Sequence, residues 1–229
     1  HYAFVAYYYG GTLRLARCAL RGNTTLVDGA CEHRTADRAS HDVGRYCAAT
    51  STQLGGGGNS SAAVAVYVDN AHYALRMARC AAPSCDAPPS LFTVDAHIGS
   101  AHGCPEHPHC PYGVFPAVAR APFVAHKGGD VLATSYFATH SATEGCLKLA
   151  LVAFDDGADA PPYVSKHTLA CGKSGYGRDS DFAPAATYAD DGRVYVSFLD
   201  YQQDGGRFMR LRVALTTWTA RTAADGDDD

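Results

Sequence analysis

No apolar run in this sequence is longer than a strand, so a helix crossing a bilayer, which needs about 20 such residues, is not expected. Charge is scarce as well. Only 18% of residues are charged, and a net charge of −4 with a pI near 6.2 leaves no basic footprint for nucleic acid. Helical periodicity sustained over three turns is missing, which argues against an α or α/β fold. Glutamate occurs only at Glu32, Glu106 and Glu144, and tryptophan only at Trp218. Asparagine occurs three times, and two of the three open glycosylation sequons, "NTT" at Asn23 and "NSS" at Asn59. No signal peptide is visible, and the chain opens at His1 without a methionine, as a mature or trimmed chain would.

Cysteine, by contrast, is abundant. Nine cysteines point to an oxidising compartment, because cytosolic proteins seldom keep so many thiols. With the two sequons, the expectation is an extracellular or cell-surface glycoprotein carrying glycans at Asn23 and Asn59. A hydrophobic fraction of 47% supplies a packed core, and 229 residues suit one large all-β domain or two small ones.

The chain writes one phrase four times. "LRLARC" begins at Leu13, "LRMARC" at Leu75, "LKLALV" at Leu147 and "LRVALT" at Leu211, at intervals of 62, 72 and 64 residues. Each alternates apolar and basic or small residues, as a strand does. Before each lies a run rich in Val, Tyr, Phe and Ala: "YAFVAYYYG", "AAVAVYVDN", "VLATSYFATH" and "RVYVSFLDY". A further strand is expected after each, in "TTLVD", "LFTVD", "YVSKHTL" and "TWTART". Ahead of three repeats stands an entry strand, in "RYCAATSTQ", "VFPAVARAP" and "FAPAATYAD". Four antiparallel strands per repeat unit are the signature of a β-propeller blade. The expected architecture is therefore an all-β propeller over residues 1–224, with four-stranded blades at roughly 1–40, 41–110, 111–175 and 176–224. Residues 225–229 form an acidic tail.

The order of these pieces resembles sialidase-superfamily propeller repeats of an extracellular type. Those run Gly-x-x-Pro-Ala/Ser, Val-Ile-Ser-Tyr-Tyr-Asp, Leu-Lys-x-Ala-x-Cys, a short Cys-closed loop and Thr-Val-Asp. "VAVYVDNAHYALRMARCAAPSCDAPPSLFTVD", from Val64 to Asp95, follows that order closely; "VYVSFLDYQQDGGRFMRLRVA" follows its middle part. The resemblance implies a fold and an exposed setting, and no single activity. It also implies a disulfide between Cys80 and Cys85, which bracket the small loop. The first unit lacks an entry strand, so the chain is expected to be part of a larger propeller, with a compact four-bladed ring as the alternative.

Cys18 ends the strand equivalent to that of Cys80 and Cys31 follows the next strand, which brings these two into consideration as a pair. Cys146 and Cys171 form a second such pair. Cys47 is left over as a buried free thiol. In "HGCPEHPHCPYG" (102–113), His102, His107 and His109 with Cys104 and Cys110 could supply zinc or copper ligands. The simpler expectation is a loop closed by Cys104–Cys110 with solvated histidines and no metal or other cofactor.

Arg14, Arg76, Lys148 and Arg212 occupy one equivalent position. Either they form a ring that binds an acidic ligand, or they pair across their hairpins with Asp69 and Asp200. Tyr9 and Ala138 take the acidic position in the other two repeats. Tyr7, Tyr67, Tyr136 and Phe198 align as mainly inter-blade core, while the "YYY" run from Tyr7 to Tyr9 and Tyr201 near a hairpin are the more exposable sugar-stacking candidates. "LGGGGNSS" (54–61) is a hairpin tip, because no helix follows it to make a phosphate loop. A sialidase-type hydrolase would need an arginine cluster, a Tyr–Glu nucleophile pair and a carboxylic acid. The three glutamates fall in loops, and the Ser-x-Asp-x-Gly-x-Thr-Trp box is absent. The expected function is therefore a non-catalytic extracellular structural or protein-interaction module within a larger assembly. Its partners would be other extracellular chains or further blades of the same protein. The alternative is a glycan-binding propeller.

Overall fold

The computed structural model describes residues 2–22, 25–38, 42–53, 61–81, 85–98, 116–126, 129–139, 145–154, 161–172, 184–189, 193–202 and 208–217. Every regular element among them is a strand, and the strands make four antiparallel sheets. Sheet 1 contains β1 (Tyr2–Tyr9), β2 (Thr12–Arg21) and β3 (Thr25–Asp37) in that order. Sheet 2 contains β4 (Val43–Gln53), β5 (Ser61–Asp69), β6 (Ala74–Arg79) and β7 (Ser90–Asp95). Sheet 3 contains β8 (Ala117–His126), β9 (Gly129–Thr139), β10 (Gly145–Ala153) and β11 (Tyr163–Gly172). Sheet 4 contains β12 (Ala185–Tyr188), β13 (Arg193–Gln202) and β14 (Phe208–Thr217). Each sheet is a meander of sequential neighbours. The β1–β2 hairpin turns through Gly10 (φ 58°) and Gly11 (φ 80°). Positive φ at both central residues is what a two-residue hairpin loop with the right twist requires.

The repeated phrase holds the same place in every sheet. Leu13 lies opposite Tyr8, Leu75 opposite Val68, Leu147 opposite Phe137 and Leu211 opposite Leu199. On its other side Leu13 faces Asp37, Leu75 faces Asp95 and Leu147 faces Ala170. In all three the register slips by a bulge at the very next residue, Arg14, Arg76 or Lys148. Leu13, Leu75 and Leu147 are each 0% exposed. This register corrects one expectation. "TTLVD" is not the counterpart of "LFTVD", because β3 runs on to Asp37 and the matching residues are Thr35-Ala36-Asp37. The corresponding triplets in sheets 2 and 3 are Thr93-Val94-Asp95 and Thr168-Leu169-Ala170. Within β3, "TLVD" is only the opening, and the Cys18–Cys31 disulfide staples the strand to β2 beyond it.

Successive sheets pack face to face, and strand alternation explains how. On β5, Ala63, Ala65 and Tyr67 join one core with Leu13 and Leu15 of sheet 1. Val64, Val66 and Val68 join another with Leu132, Tyr136 and Val152 of sheet 3. On β9, Val131, Ala133 and Phe137 turn the other way and pack with Val194, Val196 and Phe198 of sheet 4. A strand buried on both faces reads as a continuous apolar run, which is what "AAVAVYV" shows. Along one edge of the stack, β1 packs against β4, β4 against β8 and β8 against β12. At the first of these joints Gly44 (φ 96°) sits so near sheet 1 that an added Cβ would lie 2.6 Å from the Leu13 Cα.

Two further disulfides, Cys80–Cys85 and Cys146–Cys171, tie sheets 2 and 3 internally. Cys18–Cys31 and Cys146–Cys171 join residues directly opposite across a hairpin. Cys47 is free but half-buried, less enclosed than expected, and lies where β4 bulges between Arg45 and Ala48. Burial pushes its thiol pKa up, so the thiolate is disfavoured at neutral pH. No helix among the described residues is long and apolar enough to cross a membrane.

Candidate functional site

The equivalent cations and the tyrosines facing them build the most ordered polar feature of the molecule. Tyr67 stands opposite Arg76, Tyr136 opposite Lys148, Tyr7 opposite Arg14 and Phe198 opposite Arg212. In a strand pair, opposite residues share a face, so each tyrosine and its cation project together from the sheet.

At the joint between sheets 1 and 2 they meet the terminal aspartate of the preceding sheet. Tyr67 donates its hydroxyl hydrogen to Asp37 Oδ2 at 2.6 Å, and Arg76 Nη1 donates to the same oxygen at 3.0 Å. Asp69, the hairpin neighbour, is farther from Arg76, at 3.5 Å. It instead holds the following turn, accepting from the backbone N–H of Ala71 and His72. The expected hairpin charge pair is therefore only the lesser half of the arrangement, and the closer carboxylate comes from the neighbouring sheet.

The joint between sheets 2 and 3 repeats the scheme. Tyr136 donates to Asp95 Oδ2 at 2.7 Å, and Lys148 Nζ lies 3.3 Å from that oxygen. Lys166 Nζ adds a bond to Asp95 Oδ1 at 3.1 Å, and the His97 N–H lies 3.3 Å from Oδ1. Asp95 is 2% exposed. Burial alone would raise its pKa, but the Tyr136 hydroxyl, the Lys148 charge, Lys166 and the His97 N–H together hold it below the ordinary carboxylate value. The tyrosines shift the other way. Burial first, then the adjacent carboxylate, pushes the hydroxyls of Tyr67 and Tyr136 far above their usual range. Both remain neutral donors at any physiological pH.

The remaining joint, and the outer face of sheet 1, depart from this pattern. At the sheet 3–sheet 4 joint Ala170 stands where Asp37 and Asp95 stand elsewhere, and Phe198 replaces tyrosine. The hydroxyl and its acceptor are missing together. In sheet 1, Tyr7 hydrogen-bonds His33 Nδ1 at 2.9 Å, and Arg14 lies over the Tyr9 ring at 4.8 Å with its buried Nε unpaired.

A cleft of about 180 Å³ opens between sheet 1 and the Cys80–Cys85 loop, lined by Phe4, Leu15, Arg17, Glu32, Arg34, Asp86 and Pro88 among others. Its charges already have partners. Arg17 pairs with Glu32 at 2.6 Å, and Arg34 clasps both the carbonyl and the carboxylate of Asp86 at 2.9 Å. A volume below the roughly 300 Å³ usual for a small-molecule site, with its cations neutralised, suits a joint better than a ligand pocket.

Of the anticipated site residues, Arg76 and Lys148 are drawn into the joints and Arg14 faces away from sheet 2. The side chains of Arg212, Asp200 and Tyr201 lie outside the described residues, as do Asn23, Asn59, Cys104, Cys110, His102, His107 and His109. Among the described residues no group of three His, Cys, Asp or Glu converges as metal ligands would. Asp37 and Asp95 are functional residues the sequence reading missed. The signal for them was the Thr-x-Asp triplet, repeated at Thr35–Asp37 and Thr93–Asp95. The chain matches no protein-family model, no curated protein and no solved structure.

Proposed function

We propose that this chain is a non-catalytic extracellular β-propeller module that acts by holding and presenting protein surfaces within a larger assembly. One observation carries the reading. In sheets 2 and 3 the recurring residues, where an enzyme or lectin would keep its ligand groups, bind the preceding sheet instead. Arg76 and Lys148 use their charges on Asp37 and Asp95, and Tyr67 and Tyr136 are 0% exposed. The blade-like meanders and the contact of β4, β8 and β12 along one edge favour a propeller over a sandwich. Three disulfides favour the secretory pathway.

The second reading, glycan binding, draws on exposed aromatics. Tyr9 is 63% exposed, Tyr163 57% and Tyr2 54%, and such rings can stack on sugars. They lie at unrelated positions, however, whereas a repeat lectin keeps one pocket per unit. A glycan array combined with a panel of fluorogenic glycosides separates the readings. The proposal predicts no retained glycan and no released fluorophore. Retention of an acidic glycan that Arg76→Leu or Lys148→Leu abolishes in a folded variant would install the lectin reading in its place.

A further inference from the structure

Position by position, sheet 1 carries the face that sheets 2, 3 and 4 use to receive the sheet before them. Val5 is equivalent in register to Ala65, Thr134 and Val196. Those three are each 0% exposed, while Val5 is 49% exposed. Tyr7 is equivalent to Tyr67 and Tyr136, and Arg14 to Arg76 and Lys148. Leu13 and Leu15 turn toward sheet 2, so Arg14, between them on the strand, projects from the opposite face.

The polar groups on this face are those of a joint without its carboxylate. Arg14 Nε is shielded from solvent and has no hydrogen-bond partner. Leaving such a buried donor unpaired is costly, which is why nearly all of them find an acceptor. The rest of the chain says which acceptor. Where the preceding sheet ends in aspartate, the socket holds tyrosine, as Tyr67 does for Asp37 and Tyr136 for Asp95. Where Ala170 takes the aspartate's place in the register, the socket holds Phe198. Sheet 1 holds tyrosine.

We infer that the face of sheet 1 turned away from sheet 2 docks another sheet of this same repeat, one whose outer strand ends Thr-x-Asp and whose carboxylate is received by Tyr7 and Arg14. The docking sheet covers Val5, takes the Tyr7 hydroxyl from His33, and supplies Arg14 with its acceptor. Continuity with the Tyr67–Asp37 and Tyr136–Asp95 joints and the unmatched charge both select this occupant over an unrelated partner. The inference rests on the propeller reading proposed above and names the partner that reading leaves open.

The test extends the full chain by placing a copy of residues 42–126 directly ahead of Tyr2. This supplies a sheet ending Thr93-Val94-Asp95 and a β8 to serve as entry strand. In urea unfolding of the extended chain, Asp95→Ala in the added copy and Arg14→Leu should each lower the folding constant at least about tenfold. Combined, they should cost far less than the product, as contacting partners do. Additive losses would overturn the inference. Asp37→Ala with Arg76→Leu in the same chain is the control. If that pair is additive too, the stacked-sheet reading itself fails, whereas additivity confined to Arg14 sinks only the docking inference. Should the extended chain not fold, the natural chain decides at dilutions where sedimentation shows a monomer. There Arg14→Leu should change the folding constant less than about fivefold, the scale of one exposed cation–π contact, against tenfold or more for Arg76→Leu. Equal losses would mean that Arg14 already has its carboxylate, and the inference falls. Concentration-dependent dimerisation abolished by Arg14→Glu would assign the face to a second copy and overturn it as well.

Discussion

Replacing Asp95 with alanine should destabilise the protein by about 3–5 kcal/mol, the range for breaking a buried ion pair by removing one partner. The figure follows from what is left behind. Tyr136, 0% exposed, keeps a hydroxyl with no acceptor, at about 1–3 kcal/mol. Lys148, whose side chain is 14% exposed, keeps a charge with no carboxylate at 3.3 Å. Lys166 adds little, because its side chain is 47% exposed and can turn to water. These losses overlap and do not sum. Asp95→Asn retains the shape and one acceptor oxygen and should cost about half as much. Tyr136→Phe removes a single charge-assisted bond, leaves both lysines paired, and should cost about 1.5–3 kcal/mol. Equilibrium unfolding in urea at neutral pH, with the m-value checked for constancy, reads all three. An Asp95→Ala cost below about 1 kcal/mol, or Tyr136→Phe costing more than Asp95→Ala, would refute the argument that this aspartate joins sheets 2 and 3.

Leu75→Ala should cost about 2–5 kcal/mol, as expected for a leucine with no exposed surface, and thermal melts will show whether it does. Gly44→Ala should be at least as damaging as a lost core contact. Its φ of 96° and the 2.6 Å approach to Leu13 Cα leave no room that a side-chain rotation could open; a variant melting within a degree of wild type would show the joint to be looser than described. Stability should fall at both pH extremes for opposite reasons. The Asp95 pKa is depressed in the folded state, so its contribution is complete above the unfolded value of about 3.9 and is lost as pH drops through the lower folded value. The Tyr67 and Tyr136 pKa values are raised, so their contribution is complete below the unfolded value of about 10. It declines above that by up to about 1.4 kcal/mol per pH unit for each tyrosine. Unfolding curves between pH 9 and 11.5 should lose most of this slope in the Tyr67→Phe/Tyr136→Phe double variant, with the remainder coming from Tyr188, whose pKa burial also raises.

The strands were legible because their pattern is local. A run such as "AAVAVYVD" and the spacing of Leu13, Leu75, Leu147 and Leu211 place each hairpin without any tertiary knowledge, and the observed register keeps those leucines equivalent. The acceptors of the cations were not legible in the same way. Asp69 is seven residues from Arg76, while Asp37 is 39 away on another sheet. A hairpin argument therefore finds Asp69 and passes over the closer carboxylate. The first repeat misled for a related reason. Both "TTLVD" and "RTAD" satisfy a Thr-before-Asp pattern, and only the length of β3 and the bulge after Leu13 decide between them. What the sequence did contain, unread, was a correlation between tyrosine and aspartate in successive repeats, with Phe198 and Ala170 as the exception that changes both partners together.

Amide hydrogen exchange, read strand by strand, tests the central claim that sheets 2 and 3 are interior members of a stack. β5 and β9, covered on both faces, should exchange only through global unfolding. β1, which among the described strands pairs only with β2 and exposes Val5 and Tyr9, should exchange faster than either. Exchange in β5 or β9 as rapid as in β1 would contradict that claim.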